Sequence, residues 1–114
     1  MKIFVRACGL ILLWGYAVAA FAAEWKDKAE AEGNVVFYTT ANTSDAKGVA
    51  DGFKRLYPKI DVQFYRSTDS QMMEKILSEG RAGKPLWDVV STTGYYGYQL
   101  KKRRLLAAYD SPRA

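Results

Sequence analysis

The sequence contains no histidine and one cysteine, Cys8, in 114 residues. Without histidine it lacks the commonest metal ligand and the usual general base near neutral pH. Cys8 sits inside an apolar amino-terminal stretch, so the chain beyond it has no thiol, disulfide or thiolate metal site. Nucleophilic catalysis would then need Ser–Lys or paired-carboxylate chemistry, and no spacing points to either. No catalytic residue, metal ligand or cofactor is therefore expected. Internal repeats and low-complexity segments are also missing. What is present is ordinary for a folded chain: 49% hydrophobic and 25% charged residues, which excludes wholesale disorder. The net charge of +5 drops to +3 once Lys2 and Arg6 are discounted. That excess favours small anions and is too slight to argue for nucleic acid.

Lys2 and Arg6 precede seventeen uncharged residues, Ala7 to Ala23, centred on Leu10-Ile11-Leu12-Leu13-Trp14. Ala20-Phe21-Ala22 fits the small-x-small rule of signal cleavage, and the first acid, Glu24, follows at once. A cut after Ala20 fits nearly as well. The apolar run falls short of the roughly 20 residues that span a bilayer. Residues 1–22 thus read as a cleaved export signal, with no stable membrane insertion afterwards and the periplasm as destination. Cys8 precedes the apolar centre rather than ending it, which argues against lipidation.

Beyond the leader, strand and helix patterns alternate. Trp25 to Gly33 is polar and helix-prone. Val35-Val36-Phe37-Tyr38 reads as a strand buried on both faces. Thr43 or Ser44 can cap the next helix, whose apolar stripe is Ala46, Val49, Ala50, Phe53 and Leu56 before Pro58 stops it. Ile60, Val62 and Phe64 alternate with Asp61, Gln63 and Tyr65, as in a strand with one less buried face. Thr68-Asp69-Ser70-Gln71 matches a capping box opening a helix that buries Met72, Met73, Ile76, Leu77 and Gly80. Leu86 to Val90 reads as a third strand and Tyr95 to Arg104 as a third helix. Such alternation predicts an α/β fold with a partial parallel sheet, strand order 2-1-3, flanked by helices.

In open parallel sheets ligands bind beyond the carboxyl ends of the strands. Those ends carry Thr40-Ala41-Asn42, Arg66-Ser67 and Thr92-Thr93-Gly94, the candidate ligand-binding residues. Hydroxyls and helix amino termini there favour an anion, and Arg66 adds a planar fork of donors. The plainer reading of Ser67, Thr68 and Thr93 is helix capping, and of Arg66 a surface pair with Asp69. Tyr95, Tyr96 and Tyr98 cannot all face one site from consecutive helical positions, so packing or a rim position fits them better than metal ligation. Met72-Met73 reads as core filling. Lys101-Lys102-Arg103-Arg104 reads as a solvated helix end.

Several segments, in order, resemble the family 1 extracellular solute-binding proteins, particularly the ferric-iron branch. They are Gly33 to Thr40, Phe53-Lys54-Arg55-Leu56-Tyr57-Pro58 with Ile60-Asp61-Val62, Tyr65 to Thr68 with Ile76 to Gly83, and Leu86-Trp87-Asp88-Val89-Val90. The resemblance implies a two-lobed binding protein of the type II periplasmic fold that delivers a solute to the membrane subunits of an ABC importer. Residues 23–114 would be a truncated part of its amino-terminal lobe. The solute it implies is ferric iron or a small anion; related branches take phosphonates, polyamines, thiamine or sugar phosphates. Iron-type members often carry His or Tyr after the first strand, where this chain has Thr40-Ala41-Asn42. A secreted α/β enzyme is the competing expectation, and it would require a catalytic acid or nucleophile at a strand end.

Overall fold

The computed structural model describes residues 24–110, so the predicted export signal at 1–22 lies outside the described residues. Helix α1 (residues 24–32) leads in. Then follow β1 (Asn34–Thr39), α2 (Thr43–Leu56), β2 (Asp61–Arg66), α3 (Asp69–Arg81), β3 (Val89–Ser91) and α4 (Gly94–Lys102). The three strands form one parallel sheet in the order β2-β1-β3, as the sequence predicted. The first strand is central because the crossover through α2 carries the chain to one side of it, and the crossover through α3, starting from β2, passes over it to the other side.

Register partners share a face of the sheet. Pairing Tyr38 with Tyr65 and Val90 puts these three on one side with Val36, and leaves Val35, Phe37, Phe64 and Val89 on the other. The first side carries the core: Tyr38, Met72, Ile76 and Leu100 are buried together, flanked by Val36, Met73, Trp87, Val90 and Leu105 from β1, α3, β3 and the segments around them. Helix α2 buries only Ala46 and Ala50.

Four sequence expectations need correction. The α2 stripe is narrower than predicted, since Val49 and Leu56 are 59% and 72% exposed. In α3, Met72 and Ile76 are buried but Gly80 is exposed. Strand β1 is only half-buried at Val35, Val36 and Phe37, because a three-stranded sheet leaves little area to cover both faces. The third strand is Val89–Ser91 rather than Leu86 to Val90, for a reason visible in its bonds. The Val36 N–H donates to the Asp88 carboxylate (2.8 Å) while the Asp88 N–H donates to the Val36 carbonyl (3.0 Å). The carboxylate thereby stands where a longer strand would place a main-chain carbonyl. Leu86 is drawn off the ladder, its N–H donating to Glu79 Oε2 (3.1 Å).

Glu79 is a buried carboxylate that no local pattern announced. Its Oε1 accepts from the Tyr38 hydroxyl (2.8 Å) and pairs with Lys75 Nζ (2.9 Å), one turn earlier in α3. Lys75 lies over the rings of Tyr38 and Tyr65, 5.6 and 5.1 Å from their centroids. Burial pushes the Glu79 carboxyl up, but the bonds from Lys75, Tyr38 and the Leu86 N–H together hold it below the usual range. Burial pushes the Tyr38 phenol up, and the neighbouring Glu79 carboxylate adds to this.

Helices α3 and α4 end in the same way. In α3 the N–H groups of Gly83 and Lys84 donate to Gly80 (3.2 Å) and Glu79 (3.0 Å) carbonyls; in α4 those of Arg104 and Leu105 donate to Lys101 (2.9 Å) and Leu100 (3.1 Å). This closure places one residue in the left-handed region, where glycine is favoured because it has no Cβ to clash. Gly83 occupies it in α3 at φ 67°, but Arg104 occupies it in α4 at φ 59°. Gly33 ends α1 in similar fashion at φ 75°.

Candidate functional site

The carboxyl edge of the sheet is defined by one register row, Arg66–Thr39–Ser91, and by the loops that leave it. Thr39 is fully buried, and its hydroxyl accepts from the Ala41 N–H (3.1 Å), turning the chain sharply out of β1. The Thr40 N–H donates to the Ser91 carbonyl (3.1 Å) and the Ser67 N–H to the Thr39 carbonyl (3.3 Å), so both outer strands are stitched to the first loop. All three loops predicted to carry ligand-binding residues therefore meet at this edge.

Asn42, rather than Thr43 or Ser44, caps α2. Its Oδ1 accepts from the Asp45 N–H (2.9 Å), and its Nδ2 donates to the Asp45 carboxylate (2.8 Å), which occupies both ends of the amide. Thr43 and Ser44, the expected caps, lie inside the helix, and Asn is an equally strong cap. Ala41 presents its carbonyl to Arg66, whose Nε donates to it (3.2 Å). Arg66 therefore pairs with a loop carbonyl and not with Asp69, and among the described residues no carboxylate forms an ion pair with it. Ser67 is buried, its hydroxyl donating to the Thr68 carbonyl (3.1 Å).

The predicted capping box closes from the Gln71 side: its Oε1 accepts from the Thr68 N–H (3.4 Å) and hydroxyl (3.0 Å). Asp69 does something the sequence did not suggest. Its Oδ1 accepts from the Thr92 hydroxyl and from the Thr93 N–H (3.2 Å), lashing the start of α3 to the loop that opens α4. The Thr92 hydroxyl and then the Thr93 N–H hold this carboxyl below its ordinary value. A signal existed in hindsight, an acid beside a capping residue in one loop and a hydroxyl pair in another, but only the fold brings them together.

Thr93 makes no side-chain cap to α4. Gly94 begins that helix with open space around it, since a Cβ built there would meet nothing within 4 Å. The first N–H groups of a helix have no partner inside it and carry the positive end of its dipole. The edge thus offers an uncapped helix start at Gly94 and the exposed guanidinium of Arg66, beside the carboxylates of Asp69 and Asp45, which hold the Thr92 hydroxyl and the Asn42 amide. Among the described residues no group of three or more acidic, histidine or cysteine side chains is placed to hold a metal ion. A shallow depression lined by Asp51, Lys54 and Arg55 lies at the far end of α2 and involves none of these residues. Among the described residues no helix is long and apolar enough to cross a membrane. Compared with known proteins, the chain matches no family model and no characterised sequence.

Proposed function

We propose that the chain is the exported solute-binding component of an ABC importer, catalysing no reaction and holding a small anion at the carboxyl edge of its sheet. The observation that carries this reading is the uncapped start of α4 at Gly94, in a row of strand ends that also presents the Arg66 guanidinium. Both supply N–H donors, and donors on a pre-formed edge suit an oxyanion better than a bare cation. Ferric iron, the other solute that the resemblance implies, calls for several anionic or imidazole ligands together; the edge has the Asp45 and Asp69 carboxylates, each held by hydrogen bonds, and no group of three such side chains among the described residues. The reading is supported also by the leader-like pattern of residues 1–22 and by the ordered segments that resemble family 1 binding proteins. In it, a second lobe supplies the facing wall, the importer's membrane subunits are the partner, and the periplasm is the location.

One wall of a cleft supplies a fraction of the contacts, so millimolar affinity is expected of this chain alone, about 4 kcal/mol on the standard scale. Titrating the isotopically labelled protein with phosphate and methylphosphonate and following backbone amide shifts tests this. Saturable shifts centred on Gly94, Tyr95 and Ala41, weakened in Arg66→Ala, are expected. Shifts absent from this edge, or unchanged in Arg66→Ala, would remove the anion site. Micromolar binding by the monomer would show the site complete without a second lobe.

A further inference from the structure

The carboxyl end of α4 lies at the opposite pole from the candidate edge, about 13 Å away along a nine-residue helix. Here Lys101, Lys102, Arg103 and Arg104 are consecutive and all exposed. Between Asp88 and Asp110 the sequence contains these four cations and no acid. Among the described residues none of the four forms an ion pair.

The ordinary role of such residues, closing the carbonyls of a helix end, is already filled. Main-chain N–H groups of Arg103, Arg104 and Leu105 take the carbonyls of Gln99, Lys101 and Leu100 at 3.1, 2.9 and 3.1 Å. Nor does the backbone call for a cation at Arg104: φ there is 59°, and the twin closure of α3 uses Gly83. A charged side chain is thus kept where glycine is the relaxed choice. At about 100° per residue, Tyr98 and Lys102 share one side of α4, opposite the buried Leu100. Tyr98 is well exposed, at 60%, as is Tyr109 just beyond the helix.

We propose that this basic, tyrosine-flanked pole docks on an anionic phospholipid surface. Lysine and arginine attract acidic headgroups, while tyrosine partitions to the headgroup level with its ring toward the acyl chains and its hydroxyl toward water. Its tyrosines flank the cations rather than alternating with them as a nucleic-acid stacking platform does. Docking by this pole leaves the Gly94 edge free. The inference does not depend on the anion site, but an exported protein meets such a surface as it leaves the membrane.

Co-sedimentation of the full chain with vesicles of phosphatidylcholine alone, or with 30% phosphatidylglycerol, tests it, the leader being common to all variants. Binding that requires phosphatidylglycerol and weakens with salt is expected. Arg104→Gly should lower affinity about fivefold, the worth of one cation near such a surface. It should leave the urea midpoint unchanged or raised, which separates loss of charge from loss of fold. The quadruple change of residues 101–104 to Gln should lower affinity tenfold or more. Equal binding to both vesicles, or wild-type affinity in the quadruple variant, would overturn the proposal. So would tighter binding to a short DNA duplex at the same salt.

Discussion

Replacing Glu79 with Ala should destabilise the protein by more than any other single loss of a polar side chain described above. The carboxylate accepts from the Tyr38 hydroxyl, the Lys75 ammonium and the Leu86 N–H. Truncation leaves the Tyr38 hydroxyl without an acceptor on a residue only 2% exposed, at a cost of about 1–3 kcal/mol. The Leu86 N–H is partly buried and loses its acceptor as well, adding roughly 1 kcal/mol. Lys75 retains about a third of its side-chain exposure, 34%, and recovers hydration, so its share is small. The sum is about 2–4 kcal/mol, against a total reserve on the order of 5–10 kcal/mol for a domain of this size. Urea unfolding followed by the fluorescence of Trp87, which packs on the core, measures it. Tyr38→Phe removes one bond and leaves Lys75 in place, so about 1 kcal/mol is expected. A Glu79→Ala midpoint within about 0.5 kcal/mol of wild type, at unchanged slope, would refute the reasoning, since that is the effect of an ordinary surface substitution.

Acid should reveal the same carboxylate. A folded pKa below the unfolded value of about 4.3 contributes stability above that pH, and the contribution is lost as pH falls through the folded pKa; Glu79→Gln should flatten this part of the pH–stability curve. The Thr93 amide resonance should titrate with Asp69, at a midpoint below the ordinary aspartate value of about 3.9, and Asp69→Asn should abolish the titration. Val36→Asp places an unpaired charge against the core on the central strand and should prevent folding, read as loss of near-ultraviolet circular dichroism; retention of the native signal would contradict the central position of β1. Arg104→Gly should leave the unfolding free energy unchanged or raise it by up to about 1 kcal/mol, as relief of the left-handed backbone; a fall would show that the side chain contributes to stability.

Element order and strand order were legible because both rest on local periodicity and on chain connectivity. The box at Thr68 and Gln71 was legible because its partners are three residues apart. What escaped the sequence depends on distant partners. Glu79 sits 41 residues from Tyr38, and Asp69 is 23 from Thr92, so no window along the chain holds both members. The α2 stripe was over-read for a different reason. Helical spacing places Val49 and Leu56 near Ala46 and Ala50, but the sheet behind them has too few strands to cover the whole stripe. That the three loops meet at one edge of the sheet was legible from the strand order. The edge's internal division of labour, Asn42 occupied by Asp45 and Thr92 by Asp69 while Gly94 stays open, required the folded chain.

The grip of Asp88 on Val36 bears on how this chain tolerates change. A strand of three residues specifies its alignment weakly, and a slip by one would swap Val89 and Val90 between the two faces. The carboxylate meets that weakness by marking a fixed point, since Asp88 grips both the N–H and the carbonyl of Val36. Alignment thereby rests on Asp88 rather than on the length of the strand. Moving Asp88 relative to Val89 would misalign the strand.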